Sequence, residues 1–163
     1  MLLVDQDRAR WDRALIARGL AALARAEALT AAPGRYQLQA AIAACHTRAA
    51  SVDTTDWAAI AALYGELARL TPSPVIELNR AMAVSRAQGA RAGLALLDKL
   101  RREPSLARYH LLPAARADLL ERLGRRAEAG REFRRAAELA SNARQRARLL
   151  ARAAACEATD DST

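Results

Sequence analysis

Residues that interrupt helices recur along this chain at a regular interval, and this spacing constrains the fold more than any other feature. Pro72 and Pro104 lie 32 residues apart, each closing an Ala/Leu-rich run, and Gly89 and Gly124 lie 35 residues apart between such runs. Because proline and glycine punctuate helices, the spacing predicts pairs of helices that stack one on the next. Arrays of this kind usually hold other protein segments and rarely catalyse reactions.

The stretch from His110 to Ser141 shows such a helix pair most clearly. A leucine-rich run ends in a turn at Gly124, and in the following run Ala129 and Ala136 let two helix backbones approach while Phe133 fills the groove beyond them. The interval is similar to the roughly 34-residue period of tetratricopeptide repeats. The sequence therefore predicts an all-α fold of antiparallel helix pairs, stacked as a short tetratricopeptide-like superhelix of about eight helices.

Composition supports a single helical domain. The chain has 163 residues, an ordinary domain length, and 52% of them are hydrophobic although only 4% are aromatic. The core must therefore come from close contacts between alanine-rich helices, and no segment alternates with the period of two that a strand requires. We predict one tetratricopeptide-like domain over residues 1–156 and a disordered tail over residues 157–163.

Apolar periodicity and capping residues predict the individual helices. Thr55 or Asp56 is placed to cap one of them, and Ser73 and Pro74 suit the cap and the first position of the next. The predicted helices run from after Asp5 to about Leu29, from Tyr36 to about Arg48, from Trp57 to Leu70, from Val75 to about Gln88, from Arg91 to Arg102, as a pair within His110 to Ser141, and from Asn142 to Cys156.

Cysteine usage and hydropathy indicate the compartment. Cys45 and Cys156 are too far apart for a zinc-ligand spacing, and they indicate small buried side chains in a reducing environment. The residues after Met1 lack the basic region and the long apolar run of a signal peptide, and no later segment has the length and apolarity of a membrane span. We predict a cytoplasmic protein with no membrane partner, no cofactor and no metal.

Positive charge is concentrated towards the end of the chain. The net charge is +8; residues 1 to 70 carry eight arginines against seven acidic residues, and residues 101 to 152 carry fourteen against six. Six arginines could form a basic ridge for DNA or for an acidic protein surface. The alternative is a solvated helix on which Glu128 and Glu132 pair with arginines three positions later. The ridge arginines are Arg122, Arg125, Arg126, Arg131, Arg134 and Arg135.

Five runs of sequence, in a fixed order, resemble a known family. They are Asp7 to Ile16 (DRARWDRALI), Tyr36 to His46 (YQLQAAIAACH), Thr71 to Val84 (TPSPVIELNRAMAV), Gly93 to Asp98 (GLALLD) and Tyr109 to Leu123 (YHLLPAARADLLERL). Together they are similar to the C-terminal extension of a group of bacterial extracytoplasmic-function RNA polymerase sigma factors, which is a tetratricopeptide-like all-α domain. The resemblance runs from about Asp5 to Arg152.

The resemblance implies a regulatory module that is not an enzyme. In the family, one region that melts the promoter and one helix-turn-helix region that recognises it precede the extension, so this chain is expected to be an isolated extension. The implied partners are these promoter-recognition regions and core RNA polymerase, and promoter DNA is reached only through the missing regions. The alternative is a free-standing helical-repeat scaffold that binds a peptide segment of an unrelated signalling protein.

Aromatic residues near the start of the chain are candidates for partner binding. Trp11, Tyr36 and Trp57 all belong to the first three predicted helices, in a chain that is poor in aromatic side chains. They indicate either a local core that closes the helix stack or a surface that docks the region preceding the extension.

Polar residues suggest a second binding site but no catalytic one. Three side chains could donate hydrogen bonds to a peptide carboxylate: Asn79 and Arg80 on one helix and Arg116 on a later one. The alternative for Asn79 is a structural hydrogen bond to neighbouring backbone. The adjacent pair Cys45 and His46 points in directions about 100° apart on a helix, so the two cannot easily form a nucleophile and its base. We predict no catalytic residue.

Overall fold

The structure is a computed structural model that describes residues 8 to 158, and the regular structure among them is entirely helical. Two short 3-10 helices, Arg8–Arg10 and Pro104–Leu106, accompany eight α-helices. The α-helices are α1 (Arg13–Leu29), α2 (Arg35–Arg48), α3 (Trp57–Leu70), α4 (Pro74–Ala87), α5 (Ala90–Leu100), α6 (Leu111–Arg122), α7 (Arg126–Leu139) and α8 (Ala143–Glu157). For the described residues, the prediction of an all-α chain with about eight helices is confirmed.

The chain divides between Ser73 and Pro74 into two compact units. In the first unit α2 packs against both α1 and α3, and in the second unit α4 to α8 each pack against the next helix along the chain. The prediction of one domain over residues 1–156 stays a prediction. The predicted tail begins at Glu157, which is the last residue of α8, and residues 159–163 lie outside the described part of the chain.

Side-chain caps determine where several helices begin. Asp56 accepts a hydrogen bond from the Ala59 amide at 2.9 Å and so caps α3, which is one of the two caps that the sequence predicts. The expectation that the first helix begins after Asp5 is wrong for residues 8 to 12. Asp12 caps α1 by accepting from the Leu15 amide at 2.9 Å, so the helix begins at Arg13. Asp5 itself lies outside the described residues.

Two glycines turn the chain between helices in the second unit. Gly89, before α5, has φ of 97°, and Gly124, between α6 and α7, has φ of 74°. These left-handed conformations are open to glycine and strained for other residues, so both turns depend on glycine at these positions. The predicted turn positions are therefore confirmed, and the helix ends beside them differ from the prediction by only one or two residues.

The core of the second unit is built from leucines, small side chains and one aromatic ring. Phe133, Leu97 and Leu119 are completely buried, and so are Ala129 and Ala136 on α7. Small side chains allow neighbouring helices to approach closely, which compensates for the scarcity of large rings. This arrangement is the one that the alanine spacing predicts.

Helices α4 and α5 approach closely at Gly93. A methyl group on Gly93 would lie 2.4 Å from the Ser85 Cβ and 2.8 Å from the Ala81 carbonyl oxygen. Both distances are shorter than a van der Waals contact, so this helix crossing requires a residue without a side chain.

The first unit has a smaller buried core, to which α2 and α3 contribute most. Leu38, Ile42, Ile60 and Leu67 are buried, whereas on α1 only Leu23 is. Most of α1 is therefore exposed. No helix formed by the described residues is long and apolar enough to cross a lipid bilayer.

Candidate functional site

A small cleft opens in the second unit, bounded by the 3-10 helix Pro104–Leu106, α6 and α7. Leu106, Leu112, Pro113 and Leu139 form its apolar wall. The cavity volume is about 20 Å³, which is room for about one water molecule. The cleft is therefore a surface depression that can receive part of a side chain, and it is too small to enclose a metabolite.

Charged side chains surround the cleft, and three of the four are arginines. Arg116 is buried, and its Nε lies 3.1 Å from the Glu132 Oε1 while its Nη1 pairs with the Asp98 carboxylate. Arg101 and Arg135 also line the cleft and are exposed. Because Glu132 is engaged by Arg116, the charge that faces solvent at this cleft is positive. The cleft thus presents an apolar wall beside two solvent-facing guanidinium groups.

Replacing Arg116 with alanine is expected to lower the free energy of unfolding by about 2 kcal/mol, because Glu132 would lose its charged partner in a largely buried position. The side chain of Glu132 is only 15% exposed. Arg80→Ala is a matched control, since Arg80 forms a 3.1 Å pair with Glu77 at the surface. Its expected cost is below about 1 kcal/mol. Urea denaturation followed by far-UV circular dichroism measures both, and equal losses would contradict a structural role for Arg116.

The residues predicted to clamp a carboxylate occupy different environments. Asn79 is exposed on α4, and Arg80 pairs with Glu77 on the same helix. Of the three predicted residues, Arg116 lines the cleft and the other two do not. A common role for Asn79, Arg80 and Arg116 in binding a carboxylate stays a prediction, and in this structure the Arg116 guanidinium is already engaged by two carboxylates.

The two tryptophans of the first unit belong to a network centred on Arg8. The Arg8 guanidinium is buried, donates to the carbonyl oxygens of His46 at 3.0 Å and Ala49 at 2.7 Å, and lies 5.3 Å from the centre of the Trp11 ring. Trp57 donates from its indole nitrogen to the Val52 carbonyl at 3.0 Å. Its ring meets the His46 ring edge-on at 5.4 Å. Trp11 and Trp57 are half-buried in these contacts, which favours the local-core interpretation for both.

Tyr36 differs from the tryptophans because its ring is open to solvent. It is 69% exposed, and Arg35 lies over the ring at 4.5 Å and donates to the phenol oxygen at 2.7 Å. Tyr36 is therefore the predicted aromatic residue with the most surface available to a partner. Its role in binding stays a prediction.

His46 is expected to make the first unit less stable in acid. Burial, followed by the positive charge of Arg8, lowers the pKa of His46, and its Nδ1 is buried without a hydrogen-bond partner. As pH falls through about 6.5, the unfolded chain binds a proton at this residue before the folded protein does, so the free energy of unfolding decreases. Below the pKa of the folded state this contribution levels off.

The comparison of wild type with His46→Gln between pH 8 and pH 5 tests this expectation, with Trp fluorescence reporting urea unfolding of the first unit. The wild type should lose more stability than the variant as pH falls. Parallel pH profiles of the two proteins would show that His46 does not carry the effect.

The predicted ridge arginines form ion pairs different from those expected. Glu128 binds Arg125 at 2.6 Å rather than Arg131, and Glu132 binds Arg116 rather than Arg135. The expected pairing with arginines three positions later is therefore wrong at both glutamates. For Glu132 the reason is tertiary, because the buried guanidinium of Arg116 on α6 faces it.

Both cysteine thiols have a pKa above the usual value, and Cys156 is buried whereas Cys45 is only half-buried. Burial raises the pKa of Cys45 and of Cys156, and the Cys156 thiol donates to the Glu121 Oε1 at 3.7 Å. A raised pKa lowers the thiolate fraction that nucleophilic chemistry requires.

Sequence reasoning missed Arg8 and Arg101 as residues of interest, and it selected Arg135 only as one of the ridge arginines. Arg8 carries no distinguishing sequence pattern among the 25 arginines of the chain. Arg101 directly follows α5, and Arg135 lies on α7. Only the packing of these elements at the cleft brings the two side chains to one surface.

A similar protein is found in Rhizobium meliloti (strain 1021), where it is described as an uncharacterized protein. The two sequences are 46% identical over 147 residues, which cover 90% of this chain and 34% of the Rhizobium protein. This chain thus spans about a third of the length of that relative. No protein-family model matches the chain, and no solved structure matches it significantly.

Proposed function

We propose that this chain is a regulatory protein-interaction domain of an extracytoplasmic-function sigma factor. It binds the promoter-recognition regions of the sigma factor or core RNA polymerase, and in this way controls transcription initiation. The sigma-factor assignment rests on the five ordered runs of sequence between Asp7 and Leu123. A segment that matches about a third of a longer protein also fits a module that works together with other regions.

One structural observation supports the interaction role: an arginine-lined cleft lies on a succession of packed helices. Helical repeats present shallow surfaces to other proteins, and a depression of about 20 Å³ fits one protruding side chain better than a substrate. The apolar wall and the exposed Arg101 and Arg135 suit a partner segment in which an acidic residue neighbours an apolar one. The cleft is then one contact of the regulatory complex.

Titration of this protein with a separately produced fragment that holds the two promoter-recognition regions tests the proposal. Calorimetry should detect saturable binding with a dissociation constant in the micromolar range or below. The double substitution Arg101→Glu and Arg135→Glu should weaken this binding at least tenfold, since it places negative charge at the cleft. Arg144→Glu is the matched control because Arg144 is exposed on α8 and does not line the cleft.

Failure of the wild type to bind at high concentration would contradict the sigma-factor role and favour the free-standing scaffold. Binding that Arg144→Glu weakens as much as the cleft variant does would support an interaction domain but remove the cleft from the contact.

A further inference from the structure

Helix α1 carries two apolar stripes, and α2 covers one of them. The covered stripe consists of Ile16, Leu20 and Leu23; Leu23 is buried and the other two are half-buried. The second stripe lies roughly 100° further round the helix. This stripe, the α1 seam, consists of Leu15, Gly19, Ala22, Ala26 and Leu29.

The α1 seam has the spacing of a helix-packing surface, and four of its five residues are exposed. The fifth, Ala26, is half-buried, and its carbonyl oxygen accepts a hydrogen bond from the Gln37 Nε2 on α2 at 3.0 Å. Its positions follow one another at alternating steps of four and three residues, which is the heptad spacing of a helix that packs along a second helix. Leu15 is 59% exposed and Leu29 is 84% exposed. A methyl group built on Gly19 would meet nothing within 4 Å. Single exposed leucines are common on protein surfaces and need no explanation. Leu15 and Leu29 instead belong to one stripe with heptad spacing, which is typical of an interaction surface.

The geometry of the seam fits a helix as its occupant. From Leu15 to Leu29 the stripe is about 21 Å long, which is about four turns. Small residues at its centre, Gly19, Ala22 and Ala26, allow a second backbone to approach closely, and a leucine at each end can close the contact. An extended peptide would not follow the heptad spacing, because its side chains alternate with a period of two.

The charge along the edge of the α1 seam that lies away from α2 specifies what kind of helix can bind there. Arg18 and Arg25 are exposed, lie seven residues apart and flank the seam on the side away from α2. Among residues 8 to 158 no acidic side chain forms an ion pair with either arginine. They occupy the heptad positions whose charges select a partner in helix pairs. Acidic residues on the partner helix would complement them.

The same two charges oppose a second copy of this chain as the occupant. An antiparallel pair of α1 helices centred on Ala22 would bring Arg18 of one copy beside Arg25 of the other, and like charges at these positions are repulsive. A parallel pair would leave the arginines beside Leu23 and Thr30, neither of which can neutralise them.

We propose that the α1 seam is a docking site for an acidic amphipathic helix of a partner protein. The occupant carries apolar residues at heptad spacing and acidic residues along the edge that faces Arg18 and Arg25. This inference rests on α1 alone and does not depend on the sigma-factor assignment or on the cleft of the second unit.

Two synthetic helical peptides test the site with the full chain. Both carry leucine and alanine at the heptad positions; one has glutamate along both edges and the other has lysine, and both are monomeric at the concentrations used. Calorimetry should show saturable binding of the acidic peptide and at least tenfold weaker binding of the basic peptide. The double substitution Arg18→Glu and Arg25→Glu should reverse this preference, which a nonspecific apolar contact would not do.

Ala22→Arg blocks the seam and should reduce binding of the acidic peptide at least tenfold. Ala24→Arg is the matched control, since Ala24 is also exposed but lies on the opposite face of α1. Both variants should keep the wild-type circular dichroism spectrum. Absence of binding, equal binding of the two peptides, or equal effects of the two alanine variants would overturn the proposal. Wild-type dimers in sedimentation experiments that Ala22→Arg abolishes would also overturn it, and would assign the seam to a second copy.

Discussion

Replacing Phe133 with alanine is expected to lower the free energy of unfolding of the second unit by about 3 to 5 kcal/mol. Phe133 is completely buried on α7, and it is the only phenylalanine in the chain. Its neighbours on the same helix, Ala129, Ala136 and Ala137, are buried side chains too short to fill the vacated space. The variant therefore retains a cavity, and the loss is a large part of the roughly 5 to 15 kcal/mol that stabilises a typical domain.

Urea denaturation followed by far-UV circular dichroism measures this loss. Trp fluorescence would not report it directly, because Trp11 and Trp57 both lie in the first unit. Leu150→Ala on α8 is the control: Leu150 is 47% exposed, and its truncation should cost below about 1 kcal/mol. A loss below about 1.5 kcal/mol for Phe133→Ala would mean that the surrounding helices move together and fill the cavity. It would contradict a core in which the buried alanines fix the distances between helices.

Adding one methyl group at Gly93 is expected to cost about 3 kcal/mol, although alanine favours a helix over glycine by about 1 kcal/mol. The new Cβ would meet the Ser85 Cβ at 2.4 Å and the Ala81 carbonyl oxygen at 2.8 Å. The second of these is backbone, so no side-chain rotation relieves the clash. Helices α4 and α5 would have to separate, and the contacts of the buried Leu94 and Leu97 would loosen with them.

Gly130→Ala provides the control in the same unit. A methyl group there would meet its nearest neighbours, the Glu157 Oε1 and the Ala153 carbonyl oxygen, at 3.4 and 3.5 Å, which are close to ordinary contact distances. We expect its stability to remain within about 1 kcal/mol of wild type, because the gain in helix propensity offsets small adjustments. Thermal unfolding by calorimetry compares the two variants. Similar midpoints for Gly93→Ala and Gly130→Ala would contradict the close crossing of α4 and α5.

Helix positions could be predicted well from the sequence because their causes are local. The caps Asp56 and Asn142 act on amides within three residues, and Gly89 and Gly124 set turns through their own backbone angles. The error at the first helix has the same local origin. Asp12, immediately after Trp11, provides a cap that the apolar pattern alone does not reveal.

The candidate sites were much less predictable, because each depends on which helices face one another. The sequence around Arg116 does not distinguish it from an arginine that faces solvent. In the structure, however, α6 places Arg116 between Asp98 and Glu132. The cleft likewise joins Arg101 and Arg135, which lie on separate elements far apart in sequence. An ion-pair partner at a distance along the chain leaves no mark in the local pattern.

The sequence by itself determined that this protein is helical, where most of its helices begin and end, and which alanines and leucines could form a core, since these properties follow from periodicity and capping within a few residues. Only the tertiary structure decided which charges neutralise one another, which glycine must remain a glycine, and which apolar stripe of α1 is covered. Those outcomes depend on distances between helices, and the distances arise only when side chains remote in the sequence pack together.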